Sequence, residues 1–345
     1  MIRVALIGYG YAGRTFHAPL IRATPGLELA AIGSSRPEAV RADLPGIAVV
    51  ASPQEICASP SIDLVVVATP NDTHVSIAAM ALRAGKHVVV EKPLAPTLRE
   101  SRELASLAER ERRVLAVFHN RRWDGDFLAI TDLLASGVLG EITHFESHFD
   151  RYRPVVRDRW RERPGVGAGL WYDLGPHLVD QALQLFGVPD RVTGNLAATR
   201  PGAAADDWAH VILEYGRRRV VLHTSVIAAA APPRFVVHGL AGSWIKYGLD
   251  RQEGELIAAL TPEGRHNAHA DERGVLVDGA TGTEKEVALP RGDYGRFYAQ
   301  VRELLLGLGG NPVPPQQALA VIAVVEAAIE SSAEGRTVTP ASTFT

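Results

Sequence analysis

The chain has 345 residues, 46% of them hydrophobic and 22% charged, and a formal net charge of −3. That length exceeds what one hydrophobic core usually supports, so two domains are expected, with the composition of an ordinary globular protein and not of a disordered or membrane chain. The charge lacks the basic excess that binding along a nucleic acid requires, while the single cysteine, Cys57, excludes an internal disulfide framework and suits a reducing, cytoplasmic setting.

From the start, Met1–Ile7 runs into Gly8 after too few apolar residues for a signal peptide, and no stretch reaches the length of a membrane span. Strands are expected at Val4–Ile7, Leu27–Ile32, Leu64–Ala68, His87–Val90 and Val114–Val117, with helical spacing at Arg14–Arg22, Thr73–Arg83 and Leu98–Arg112 between them. Thr97 is placed to cap the last of these helices, and Gly85 to stop the one before it. Short β-branched runs alternating with helices predict an α/β first domain over residues 1–120, a doubly wound parallel sheet of the Rossmann kind. From residue 121 the pattern changes. Strand-like runs follow one another at Arg191–Thr199, Trp208–Tyr215, Arg219–Ile227, Phe235–His238 and Ser243–Tyr247, which predicts a mainly antiparallel sheet. Helices at Asp126–Ala135, Trp171–Phe186, Tyr294–Leu306 and Gln316–Ser332 would cover one face of it, making residues 121–345 an α+β domain whose last helix can pack back on the first. Arg251–Leu289 mixes glycines and charges with little periodicity and reads as a long excursion or weak strands.

Gly8-Tyr9-Gly10-Tyr11-Ala12-Gly13 fits G-x-G-x-x-G between an expected strand and an expected helix. Glycines there permit a tight turn and close backbone approach, and free N–H groups at the helix start bind a pyrophosphate. A glycine turn in any α/β protein has the same letters; the strand and helix around it favour the dinucleotide. At the end of the second strand an acid would hold the ribose 2′-OH of NAD, but the chain reads Gly33-Ser34-Ser35-Arg36. Two hydroxyls and a guanidinium suit a 2′-phosphate, so NADP is the expected cofactor, although a short serine loop also tolerates NAD.

Ligands of such sheets lie beyond the carboxyl ends of the strands. The loops there are Thr69-Pro70-Asn71-Asp72-Thr73-His74 and Glu91-Lys92-Pro93, which makes Thr69, Pro70, Asn71, His74, Glu91 and Lys92 candidates for holding the cofactor. Lys92, between an acid and a proline, could stabilise a substrate oxygen that becomes negative; the tripeptide alone equally suits a surface lysine in a stiff turn. Farther on, Asp173, His177 and Asp180 share one helical face, with Pro176 acceptable only near the helix start. A histidine flanked by carboxylates suits proton transfer from a hydroxyl. A solvated polar face has the same spacing, and no metal is assigned because a catalytic zinc needs a third ligand.

Together these residues resemble the Gfo/Idh/MocA oxidoreductase family, and within it the subgroup similar to NADP-dependent scyllo-inositol dehydrogenases. The likeness runs nearly end to end, through Gly8-Tyr9-Gly10, Phe16-His17-Ala18-Pro19, Ser34-Ser35-Arg36, Glu91-Lys92-Pro93, His119-Asn120-Arg121-Arg122-Trp123-Asp124, Arg151-Tyr152-Arg153-Pro154, Arg159-Trp160-Arg161, the Asp173/His177 segment and Ile245-Lys246-Tyr247-Gly248. The resemblance implies a catalytic triad of Lys92, Asp173 and His177, Asp180 near a substrate hydroxyl, and Asn120 bordering nicotinamide and substrate. It implies that Arg153 and Trp160 belong to a substrate loop, and that the chain forms a homodimer or homotetramer through the open face of the second sheet. Tyr11-Ala12 departs from the small residues common in relatives, leaving Tyr11 either against the cofactor or filling the loop. The implied activity is hydride transfer between NADP and a carbinol of a polyol or sugar, with Lys92 and His177 able to exchange duties. An NADP-responsive regulator is the rival of a different class, and it has no need of both Lys92 and His177.

Overall fold

The computed structural model describes residues 1–258 and 272–342, so the middle of the expected Arg251–Leu289 excursion lies outside the described residues. Two compact units are present. The first comprises Met1–Trp123, Asp293–Leu319 and the short stretch 251–258; the second comprises Asp124–Asp250, 272–292 and 320–342.

The first unit is built on a parallel sheet of β1 (Ile2–Ile7), β2 (Leu27–Gly33), β3 (Ala48–Val50), β4 (Leu64–Val67), β5 (His87–Glu91) and β6 (Leu115–Phe118), in the order β3-β2-β1-β4-β5-β6. Its central strands are continuous apolar runs because helices cover both faces of a doubly wound sheet, and Leu64, Val65, Val66 and Val67 are wholly buried. The order reverses at β1 and β4, whose carboxyl ends carry the glycine loop and the Thr69 loop. Thr97 caps Leu98–Arg110 as expected, its hydroxyl accepting from the Glu100 N–H at 3.2 Å. Gly85 (φ +77°) ends His74–Arg83 in the left-handed conformation that glycine allows without penalty.

The second unit holds β7 (Ile142–His148), β8 (Arg191–Ala197), β9 (Trp208–Tyr215), β10 (Arg218–Ser225), β11 (Pro233–Gly239), β12 (Gly242–Tyr247), β13 (Arg273–Asp278) and β14 (Glu284–Ala288), in the order β14-β13-β12-β11-β7-β10-β9-β8. All pairs are antiparallel except β7 with β10. Arg251–Leu289 therefore contributes two edge strands. An inner strand, β7, is absent from the sequence reading, and the reason is local. Ile142 and Phe145 are three apart across a register shift opposite His238/Gly239, and the inward position after Phe145 is filled by the buried Ser147, so no period-two apolar pattern exists.

One expected helix belongs elsewhere. The helix expected over the second sheet at Tyr294–Leu306 forms at Gly295–Leu305, and its buried Phe297, Tyr298 and Val301 pack in the first unit's core with Phe118. Periodicity shows that a helix has an apolar face and does not say against which sheet it lies. The helix Pro315–Glu334 contributes Ala318 to the first core and Val321, Val324 and Val325 to the second.

Candidate active site

In the glycine loop, two of the three glycines are required by chain packing. A Cβ at Gly8 (φ +104°) would stand 2.3 Å from the Ala68 carbonyl oxygen, and one at Gly13 would stand 2.0 Å from that of Gly8. Gly10 is different: its backbone is not left-handed, and a Cβ there would meet nothing within 4 Å. The chain itself gives no reason for glycine at position 10, whereas a phosphate lying against the loop does. The backbone turns helical at Tyr11, with a wide π turn over Gly13–His17, so the first N–H groups of that turn face the loop. These features fit the pyrophosphate of a dinucleotide.

Arg36 returns to this loop, its Nη2 3.5 Å from the Tyr9 carbonyl oxygen and its own N–H donating to Ser34 Oγ at 3.0 Å. Ser35 and Arg36 are exposed beside the carboxyl end of β2, with no acid between Gly33 and Arg36. Tyr11 does more than fill the loop. Its ring stands edge-on to Phe16, and its hydroxyl donates to Glu253 at 2.6 Å, which also accepts from Arg121 at 2.6 Å.

At the ends of β4 and β5 the candidates are drawn together by buried hydrogen bonds. His74 lies between the carbonyl oxygens of Thr69 and Pro93, each 2.9 Å away, and burial holds its pKa below the ordinary histidine value despite them. The Thr69 hydroxyl accepts from Thr73 at 2.7 Å, and Asn71 is buried in the short turn that follows Pro70. Glu91 is buried, where desolvation raises a carboxyl pKa, but the His17 hydrogen bond at 3.1 Å and the charges of His17, Lys92 and His74 outweigh burial and keep it below the usual range. The Glu91 carboxylate also accepts the Lys92 N–H at 2.9 Å, and His17 is held in turn by Tyr298 at 2.5 Å. Thus Lys92 stands on a backbone pinned from β5, at a cis Lys92–Pro93 bond. Asn120 is buried at the start of the turn after β6.

In the second unit, Leu170–Phe186 carries Asp173, His177 and Asp180, with His177 and Asp180 buried and Asp173 partly so. Pro176 sits about two turns inside the helix, not at its first turn as expected. The start is defined instead by Gly169 (φ +91°), where a Cβ would fall 1.9 Å from Asp206 Oδ1. Asp206 accepts the Trp171 N–H at 2.7 Å, and burial pushes its carboxyl up to about 6 against that hydrogen bond. Asp173 Oδ1 lies 3.3 Å from Arg161 Nε, and the Arg161 guanidinium stacks over the Trp160 ring at 4.5 Å. Arg153 is anchored through its N–H to Val226 at 2.6 Å; burial and the nearby Arg151, Arg159 and Arg157 lower its pKa, with Asp173 opposing them. A shallow depression is lined by Arg159, Arg161, Asp173, Arg200, Asp206 and their neighbours.

The expected triad is thus divided, with Lys92 on the first unit and Asp173 and His177 on the second. Several supporting residues have no role assigned from sequence: His17 and Tyr298 behind Glu91, Glu253 behind Tyr11, and Arg200, which bridges Glu162 and Asp207 at 2.9 Å each and donates to the Arg153 and Val155 carbonyls. Their partners are distant in sequence, and His17 alone was visible, as part of Phe16-His17-Ala18-Pro19.

Known proteins similar to this chain are oxidoreductases. The oxidoreductase family model GFO_IDH_MocA, an NAD-binding Rossmann fold, matches residues 2–119, and its C-terminal alpha/beta domain matches residues 131–339. The uncharacterized oxidoreductase YdgJ of Escherichia coli (strain K12) is 53% identical over 96% of this chain and 96% of its own. The scyllo-inositol 2-dehydrogenase (NADP(+)) IolW of Bacillus subtilis (strain 168) is 38% identical over 98% of this chain and 95% of its own. A crystal structure from Klebsiella pneumoniae, 51% identical, superposes with a TM-score of 0.93 over 99% of this chain and 96% of that one.

Proposed function

The chain belongs to the Gfo/Idh/MocA oxidoreductase family, and from that premise we propose that it oxidises a secondary carbinol of a cyclic polyol or sugar of the inositol kind, or reduces the matching ketone, with NADP(H). The observation that carries the cofactor is the glycine at position 10, dispensable to the fold and open in front, beside a β2 loop that offers Ser34, Ser35 and Arg36 in place of an acid. The near end-to-end likeness to the Bacillus subtilis inositol dehydrogenase supports the same nucleotide and substrate class. The glycine loop with the turn from Tyr11 would hold the pyrophosphate, Arg36 and the serines the 2′-phosphate, and the Thr69–His74 and Glu91–Lys92 loops the nicotinamide half. When bound, NADP supplies the hydride acceptor.

In oxidation, His177 takes the hydroxyl proton, Asp173 sets the ring's orientation, and the Lys92 ammonium stabilises the developing alkoxide. Asp180 and Asn120 position neighbouring groups of the substrate, and Arg153 and Trp160 border it. In reduction, His177 returns the proton. The reading includes a cytoplasmic homo-oligomer. Among the described residues no helix is long and apolar enough to cross a membrane, and the free Cys57 is buried. Steady-state NADP reduction across a panel of inositols and aldoses tests it. Turnover of an inositol with NADP favoured over NAD is expected. Tight NADP binding without turnover of any polyol or sugar would instead support the regulator.

A further inference from the structure

One face of the second sheet is unusually rich in histidine. Along β7, Phe145 and Ser147 turn into the core, so His144, Glu146 and His148 lie on the opposite face. Register sets His223 of β10 beside His148, and His210 of β9 beside His223. Just past β7 stands Asp150, its side chain only 5% exposed. Asp150 Oδ2 is 3.8 Å from His148 Nδ1, and Oδ1 is 3.7 Å from His223 Nε2. One such atom from each of the three residues fits within 4.8 Å of the others. These separations are too long for hydrogen bonds. Among the described residues, Asp150 Oδ1 and His148 Nδ1 are buried without a hydrogen-bond partner, an arrangement that proteins avoid unless something satisfies both atoms.

The tautomers agree with a common ligand. His148 Nε2 lies 2.8 Å from Glu146 Oε2; a carboxylate only accepts, so Nε2 carries a proton, and in the neutral ring the Nδ1 lone pair faces Asp150. This carboxylate-backed histidine is how metal-binding imidazoles are commonly oriented. The other nitrogen of His223, Nδ1, is 3.3 Å from His210 Nδ1, which leaves Nε2 turned to Asp150.

We propose that His148 Nδ1, the Asp150 carboxylate and His223 Nε2 bind one divalent transition-metal ion of the zinc class, with water as the fourth ligand. Two imidazoles and a carboxylate are a borderline donor set that suits zinc over calcium or magnesium. Around a tetrahedral zinc with bonds of about 2.0–2.2 Å, donor atoms stand about 3.4 Å apart, so one atom from each residue, within 4.8 Å of the others here, would draw in by at most about 1.4 Å. Asp150 and Glu146 together balance the ion's two charges. The ion would tie β7 to β10, the one parallel pair in this sheet.

The test uses the full chain without an affinity histidine tag, stripped with a chelator and titrated with Zn²⁺ against a chromophoric competitor, then with Co²⁺ for its visible spectrum. About one equivalent of zinc and the strong visible bands of four-coordinate cobalt are expected. Glu146→Gln, which removes only the backing carboxylate, is expected to weaken zinc by about 10–100-fold. Asp150→Asn and His223→Gln are each expected to abolish the stoichiometric site while melting cooperatively without metal. His148→Gln replaces either variant if it fails to fold. Uptake by the unaltered chain of less than about a tenth of an equivalent, or an equivalent that the folded ligand variants retain, overturns the proposal.

Discussion

In the glycine loop of the first unit the proposed binding groups are backbone N–H groups, set by a few consecutive residues and by clashes that forbid a side chain at Gly8 and Gly13. On Leu170–Phe186 of the second unit the proposed catalytic groups are side chains, and their surroundings come from far along the chain: Arg161 beside Asp173, Asp206 at the helix start, and Arg200 behind the Arg153 loop. A backbone cradle tolerates nearly any sequence between its glycines. A side-chain site depends on each neighbour, so lesions in the two regions are expected to fail differently: the first in cofactor affinity, the second in turnover.

The sharpest break in that contrast would come from His177→Ala. A positioned general base contributes about 10²–10⁴-fold, so steady-state turnover is expected to fall by that order while NADP affinity, measured by fluorescence titration, stays unchanged. Near-normal turnover across the pH range would move the acid–base role to Lys92.

Within the loop, two glycines should separate folding from binding. Gly8→Ala combines a left-handed backbone with a carbonyl clash and is expected to cost at least about 2 kcal/mol in a denaturant melt. Gly10→Ala is expected to melt like the unaltered chain yet bind NADP at least about tenfold more weakly, because its methyl group would occupy the phosphate position. Equal loss of stability in both would mean that Gly10 serves the fold.

Arg36→Ala sharpens the cofactor side. Losing a charge-assisted hydrogen bond costs about 1.5–3 kcal/mol, so the NADP-over-NAD ratio of kcat/KM is expected to fall by about 10–150-fold with NAD kinetics little altered.

The smallest expected effect concerns Asp206. Its carboxyl pKa is raised to about 6, so the folded chain holds a proton that the unfolded chain has released; the stabilisation is complete below the ordinary carboxylate range and is lost as pH rises through about 6. Asp206→Asn keeps an acceptor for Trp171 and never ionises. Its melting temperature is expected to match that of the unaltered chain below about pH 4 and to exceed it by about 2–6 °C at pH 8. A gain independent of pH would assign the effect to packing.

Much of this molecule is legible in its sequence because the information is local. The Val-rich β4 and β5, the Thr97 cap, the Gly85 stop and the G-x-G-x-x-G loop each follow from a few neighbouring residues and backbone sterics, and they suffice for a doubly wound first sheet. Asp173, His177 and Asp180 share a face by helical period alone. What the tertiary structure decided depends on pairing between distant segments. It inserted β7, whose buried Ser147 and shifted Ile142 hide its strand pattern, beside β10. It assigned Gly295–Leu305 to the first core, and it brought Tyr298 to His17, Arg200 to the Arg153 loop and His223 to Asp150. An apolar face or a histidine specifies that it needs a partner, and only the folded chain, by matching shapes and satisfying buried polar atoms, determines which partner that is.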